Sequence, residues 1–280
     1  MTAERIDVER VDLGRPERNE VAPSPRDDDL VLTDHVVFAD GKPVLYHAPL
    51  GDTAVLDRLG DWIDERFDGW EGFGTNINEA RLSGIKNAHR VFGYTGMVPL
   101  RRRWGASSSS FNAKWPSAAF VLEKLAEQCA AEFERVLPVE FARHADLVSH
   151  IDPGWLLASA PWTSGVMNRT SAMPYHRDGG NVPGSWSAML TLRRGGHVEG
   201  GMLHVRDLGV FLRCGDAALT IFDGQRSTHG VSPFPPDHGD RYSIVFYAKA
   251  DVGRAAPPGQ EIAEAKRRAT ETADRFVEPT

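Results

Sequence analysis

The segments SWSAMLTL (Ser185–Leu192), AALTIF (Ala217–Phe222) and RYSIVFYA (Arg241–Ala248) are short and apolar-rich, either alternating or apolar throughout. Around them lie Gly165–Asn168, Gly201–Val205 and Val210–Leu212, of the same texture. Turn-forming clusters separate them: Gly179-Gly180-Asn181, Gly195-Gly196, Cys214-Gly215-Asp216 and Pro235-Pro236-Asp237. Many short strands at such spacing predict an all-β barrel or jelly roll and argue against a parallel α/β sheet.

Upstream of Trp155 the texture differs. Asp40-Gly41, between Val31–Phe38 and Pro43–Tyr46, predicts a hairpin. Asp52 has the chemistry to cap a helix whose apolar positions Val55, Leu59, Trp62, Ile63 and Phe67 fall at helical spacing. A second helix begins at Ser117, carries Val121, Leu125, Cys129, Phe133 and Leu137 on one stripe, and closes at Pro138. On that stripe Cys129 reads as a small core residue. Between the helices, Glu71–Trp115 is irregular and rich in Gly, Asn and Ser, and loops this long usually serve a site. Residues 1–30 lack periodicity and carry Pro16, Pro23, Pro25 and Asp27-Asp28-Asp29, which predicts a disordered tail. Gln260–Phe276 reads as a polar helix. The expected layout is a tail (1–30), an α/β extension (31–150), a strand-rich core (151–250) and a C-terminal helix (251–280).

Composition excludes several classes. No run of about eighteen apolar residues exists, so no membrane-spanning helix is expected, and the charged N-terminal stretch does not resemble a secretory signal. Two cysteines, Cys129 and Cys214, cannot build a disulfide framework, so a reducing compartment, the cytoplasm, is expected. The net charge of −7 argues weakly against general nucleic-acid binding, yet its distribution is uneven. Arg81–Trp115 holds Arg81, Lys86, Arg90, Arg101, Arg102, Arg103 and Lys114 and no acid, which suits either a solvated basic face or a surface that meets phosphates.

Four His-x-Asp pairs occur, at His144/Asp146, His150/Asp152, His176/Asp178 and His238/Asp240, where chance supplies about one. A 2-His-1-carboxylate site needs a third ligand from a distant strand. His238 has no histidine downstream, and His144 and His150 end the helical half. His204 lies within the alternating strand Met202–Val205 and reads as a face residue. His176 and Asp178 instead precede the loop Gly179–Gly184, at one mouth of the expected barrel, and His229 follows just after a strand and the turn Asp223-Gly224. Arg241 and Ser243, two apart on the last strong strand, share a face and suit a carboxylate.

His176-x-Asp178, His229 and Arg241-x-Ser243 resemble, in order and spacing, the signature of Fe(II)/2-oxoglutarate dioxygenases, over roughly residues 160–250. Tyr175–Asn181, Glu199–Leu203, Gly215–Phe222 and His229-Gly230 resemble more narrowly the TET/JBP dioxygenases, which oxidise the 5-methyl group of pyrimidines in DNA. The resemblance implies a mainly β protein with flanking helices, its core a double-stranded β-helix (a cupin-like jelly roll), in a bacterial or phage-infected cell. It implies Fe(II) on His176, Asp178 and His229, and 2-oxoglutarate with its distal carboxylate on Arg241 and Ser243. Where that family often carries an Asp that reads the base edge, this chain has Asn181, an amide that donates or accepts, leaving cytosine and thymine both open.

The activity so implied is hydroxylation of 5-methylcytosine to 5-hydroxymethylcytosine in DNA, with no side chain needed as acid or base. For such a substrate, Arg101, Arg102 and Arg103 are candidates for phosphate contact, with Phe92, Tyr94, Trp104, Phe111 and Trp115 available to stack, wedge or fill the core. Arg169, just upstream of the ligands, is a candidate for substrate or a surface ion pair. The alternative is hydroxylation of a small molecule, amino acid or peptide side chain, which the acidic net charge suits better. A zinc hydrolase would leave Arg241 and Ser243 without a role. No obligate protein partner is evident in the sequence.

Overall fold

The computed structural model describes residues 3–66, 88–97, 105–170, 172–195, 200–235 and 239–274. Thirteen strands among them form two sheets. In chain order they are β1 (Glu4–Asp7), β2 (Leu30–Leu32), β3 (His35–Ala39), β4 (Lys42–Pro49), β5 (Ala88–Met97), β6 (Gly105–Ser108), β7 (Ser164–Arg169), β8 (Ser187–Arg194), β9 (Leu203–Val205), β10 (Val210–Leu212), β11 (Ala218–Phe222), β12 (His229–Val231) and β13 (Asp240–Tyr247). The larger sheet has nine strands in the order β1-β3-β4-β11-β8-β13-β7-β5-β6, and the smaller has four in the order β12-β9-β10-β2. The α-helices among the described residues are α1 (Ala54–Arg66), α2 (Ser110–Lys114), α3 (Pro116–Val136), α4 (Pro138–Val148) and α5 (Pro258–Asp274).

The alternation of strand side chains divides the core. On β8, β11 and β13, Ala188, Leu190, Leu219, Ile221, Ile244 and Phe246 face the helices and pack with Leu56, Leu59, Ile63, Leu122, Leu125, Cys129 and Phe133. Their neighbours Met189, Phe222 and Val245 face the smaller sheet and meet Leu203, Val205, Val210, Leu212 and Val231. These strands are covered on both faces, which is why they read as nearly continuous apolar runs. The arrangement is a jelly roll whose larger sheet is backed by helices, as the strand texture predicted.

Several local expectations hold. Asp40 and Gly41 both take positive φ (53° and 71°), the conformation a two-residue hairpin turn demands. The Asp52 carboxylate accepts the Ala54 N–H at 3.0 Å at the start of α1. Cys129 is fully buried in the core. Pro138 closes α3 and also opens α4, because a proline's missing N–H is harmless in a first turn.

Other expectations are corrected. Residues 3–30 are not a free tail. β1 pairs in parallel with β3, Val21 bridges Pro174, and the segment runs into β2, which begins at Leu30 and pairs in parallel with β10, so the segment covers an edge of the larger sheet and leads onto an edge of the smaller. Main-chain pairing, with Ala22 buried, outweighs its polar composition. The run 31–38 is two strands in different sheets rather than one. Within the segment read as irregular, β5 is a ten-residue strand paired first with β7 and then with β6. It changes partner at Gly93 (φ +77°), where a Cβ would lie 2.7 Å from Thr163 O, so the glycine that hid the strand is what lets it turn. No described helix is long and apolar enough to cross a membrane.

Candidate metal and cosubstrate site

His176 and Asp178 lie on the loop between β7 and β8, and His229 opens β12. Backbone hydrogen bonds hold the three in register. His176 and His229 exchange N–H···O bonds of 2.9 Å in both directions, and the Asp178 N–H donates to Gly224 O at 3.0 Å. Each histidine Nδ1 sits 2.9 Å from a backbone carbonyl, Pro174 O for His176 and Ser227 O for His229. A carbonyl only accepts, so both Nδ1 atoms carry the proton and both Nε2 lone pairs are free. Those Nε2 atoms stand 3.8 and 3.6 Å from Asp178 Oδ1, and the three donor atoms lie within 4.8 Å of one another.

Burial, and secondarily the neighbouring His176, push the His229 pKa down to about 4, against the pull of Asp178. The imidazole is therefore neutral at neutral pH, the form that binds metal. Two imidazoles and one carboxylate on one side of a cavity are the donor set that suits non-haem Fe(II), so the residues fit that ion. Gly224 lies directly behind the group. A Cβ there would overlap Asp178 Oδ2 and stand 2.8 Å from its Cγ.

The cavity in front of the three donors measures about 250 Å³. Alternation along β13 and just beyond it aims Arg241, Ser243, Val245, Tyr247 and Lys249 into this space. Arg241 is only 1% exposed, its Nη1 donates to Gly201 O, and its guanidinium lies 5.2 Å from the Phe234 ring centroid. Its Nε is buried and has no partner among the described residues. An unpartnered guanidinium N–H beside a hydroxyl is the feature expected of a carboxylate anchor.

No protein-family model and no curated protein matches the chain. Among solved structures, NgTET1 in complex with 5mC DNA is similar over 86% of this chain and 91% of that one, with a TM-score of 0.56 and 13% identity. The chain shares the fold of NgTET1. Two further similar structures have lower TM-scores. They are a 2OG-Fe(II) oxygenase family protein from Burkholderia pseudomallei (0.44, 15% identity, 76% of this chain and 88% of that one) and a Pseudomonas putida prolyl-4-hydroxylase (0.39, 13%, 73% and 92%).

Within this jelly roll the structure brings His176, Asp178, His229, Arg241, Ser243 and Asn181 to one cavity. Asn181 is 7% exposed and bridges through its backbone to Lys249. Arg169 is not among the residues lining the cavity, because its neighbour Asn168 takes the inward position on β7. Its guanidinium forms a two-bond fork to Asp240 at 2.8 and 2.7 Å, the ion-pair reading rather than the substrate one. Arg101, Arg102 and Arg103 lie outside the described residues, as does Trp104. Phe92 and Phe111 are buried core residues, Tyr94 packs edge-on against Trp155, and Trp115 packs against Phe111, so these four do not form a stacking platform.

Two other histidines, His144 and His204, have structural partners. His144 is buried, with Nε2 at 2.8 Å from Pro161 O and Nδ1 accepting from Trp186 N. His204 meets the Tyr175 hydroxyl and stacks on Phe211. Sequence reasoning missed His89, Asn168, Tyr247 and Lys249, all of which line the cavity. Tyr247 and Lys249 were within reach by continuing the period of two from Arg241 and Ser243. His89, beside Asn168 across the β5–β7 ladder, carries no such signal, because the sequence around it has the irregular texture of a loop.

Proposed function

We propose that the chain is an Fe(II)/2-oxoglutarate-dependent dioxygenase that hydroxylates the 5-methyl group of a pyrimidine in DNA, converting 5-methylcytosine to 5-hydroxymethylcytosine. One observation carries the dioxygenase reading: a 2-His-1-carboxylate group shares its cavity with a buried, incompletely partnered arginine and the serine two residues beyond it. The DNA substrate draws support from the fold shared with NgTET1 over most of both chains.

When bound, Fe(II) with 2-oxoglutarate supplies the dioxygen chemistry that removes hydrogen from a methyl C–H. The chain's own residues hold and orient. His176, Asp178 and His229 would bind the ion on one face, with both imidazoles fixed by their Nδ1–H bonds to backbone carbonyls. Arg241 and Ser243 would take the distal carboxylate of 2-oxoglutarate, and the apolar walls Val166, Met189, Phe222 and Val245 keep bulk water from the reacting carbon. A methyl group in duplex DNA reaches such a cavity only if its nucleotide leaves the stack. Asn181, at the cavity wall, would meet the polar edge of the flipped base, and Arg101, Arg102 and Arg103 would grip the flanking phosphates.

A second reading, hydroxylation of a small molecule, amino acid or peptide side chain, is favoured by the placement of Phe92 and Phe111 in the core. The test is incubation with Fe(II), 2-oxoglutarate, ascorbate and DNA containing 5-methylcytosine or thymine, followed by mass spectrometry of the nucleosides. A nucleoside one oxygen atom heavier, formed only with 2-oxoglutarate, is expected. Succinate release with a metabolite or peptide pool, and no oxidised nucleoside, would transfer the substrate to the second reading. Reversal of Arg101, Arg102 and Arg103 to Glu is expected to weaken DNA binding and flatten its dependence on salt.

A further inference from the structure

Arg241 does not stand alone beneath the cavity. On the neighbouring strand β8, Arg193 is its direct cross-strand partner, so the two side chains leave the same face of the sheet. No carboxylate forms an ion pair with either among the described residues: Asp216 accepts the Arg193 backbone N–H at 2.8 Å and acts on its guanidinium only from a distance, and Arg241 meets the Cys214 side chain. Arg193 spends its guanidinium on backbone carbonyls instead, with Nε donating to Cys214 O at 2.9 Å and Nη2 to Gly200 O at 3.0 Å. Its Nη1 is buried without a partner, as is the Nε of Arg241. Two guanidiniums side by side repel, so an anion placed in the cavity against Arg241, the one of the two that lines it, relieves the pair.

The carbonyl that Arg193 holds is next in sequence to the one that holds Arg241, since Arg241 Nη1 donates to Gly201 O. This glycine pair is tightly built. Both residues have positive φ (72° and 62°), and a Cβ on Gly200 would stand 2.8 Å from Pro233 O. A Cβ on Gly201 would crowd Phe234, whose ring also faces the Arg241 guanidinium. Only glycine fits both the backbone conformation and the close approach.

We propose that Arg193 is a positioning residue for the cosubstrate: it pins the Gly200-Gly201 backbone on which Arg241 rests and places a second positive charge behind Arg241 for the distal carboxylate. This rests on the reading of Arg241 as the carboxylate anchor. The strand carrying Arg193 lies beside that of Arg241, but Arg193 itself does not line the cavity, so it acts through Arg241 and not on the substrate. Its removal therefore bears on a ligand only to the extent that the ligand carries a distal carboxylate.

The test is calorimetric binding, without turnover, on the full chain loaded with Zn(II). The ligands are 2-oxoglutarate and 2-oxopentanoate, which has the same chain length but no distal carboxylate. Arg193→Met is expected to bind 2-oxoglutarate about tenfold more weakly and 2-oxopentanoate unchanged. Arg193→Lys keeps the charge but loses the fork to two carbonyls, and is expected to fall between wild type and Arg193→Met. Equal losses for both ligands, or an unchanged preference for 2-oxoglutarate, would overturn the proposal. If Arg193→Met does not fold, the same comparison on Arg193→Lys decides. Arg241→Met separates the two levels. If it retains the preference for 2-oxoglutarate, the anchor reading itself fails. If it loses the preference and Arg193→Met keeps it, only the role of Arg193 fails.

Discussion

Replacing Gly224 with alanine separates the metal site from the fold that carries it. Gly224 has no left-handed φ, so alanine adopts its backbone conformation without strain. The new Cβ would stand 2.8 Å from Asp178 Cγ, whereas carbon atoms in contact settle at about 3.5–4.0 Å, so the carboxylate must retreat by about 1 Å. The side chain of Asp178 is partly exposed and can swing away cheaply. The entropy that alanine removes from the unfolded chain, about 0.4–1 kcal/mol, offsets much of that adjustment. Metal–ligand bonds tolerate only about 0.2 Å, however, so a 1 Å retreat takes Asp178 out of the donor set. The expected result is a melting temperature of the metal-free protein within about 2 °C of wild type, with metal affinity lower by at least about 100-fold. Competition with a chromogenic chelator, using Fe(II) under argon or Co(II), measures the affinity. In an Asp178→Ala background the same substitution should cost nothing further, the coupling a double-mutant cycle detects. Wild-type metal affinity in Gly224→Ala, or an equal further loss in the Asp178→Ala background, would refute the reasoning.

Acid should weaken the fold in a defined window. Burial pushes the pKa of His47 and His144 down to about 4, against about 6.5 in an unfolded chain. The unfolded state therefore takes up protons first, so the stability these residues contribute is complete above pH 6.5 and lost as pH falls toward 4. Melting temperatures of metal-free protein should drop across that range, and a flat profile would contradict it. Gly165→Ala probes the packing between β7 and its neighbours: a Cβ there would stand 2.6 Å from Val245 O and overlap the buried Phe92 ring. Overpacking of this kind costs about 1–3 kcal/mol, a melting shift of several degrees, and an unchanged denaturation midpoint would refute the crowding.

Features that depend on neighbouring residues are legible in the chain before it folds. Alternation and apolar runs marked β8, β11 and β13, the Asp40-Gly41 turn marked its hairpin, and the stripe through Cys129 marked α3, because side-chain direction follows from local backbone geometry. The same period of two placed Arg241 and Ser243 on one face. Order along the chain and a place at the mouth of the expected barrel selected His176 and Asp178 from four His-x-Asp pairs, and tertiary structure shows why the other described ones differ: His144 is buried in the core between Pro161 O and Trp186 N, and His150 bonds locally to Leu147 O. Pairing between distant segments was decided only in three dimensions. Residues 3–30 look disordered because their composition buries little, yet two sheet edges supply backbone partners that no local pattern reveals. β5 was hidden by Gly93, whose value lies in a close approach to Thr163 across the ladder. Arg193 shows the same limit, since its meaning comes from a cross-strand neighbour forty-eight residues away and from the unpartnered nitrogens the two arginines bury together. Local sequence sets the direction of a side chain, but what that side chain meets is set by the register of strands far apart in the chain.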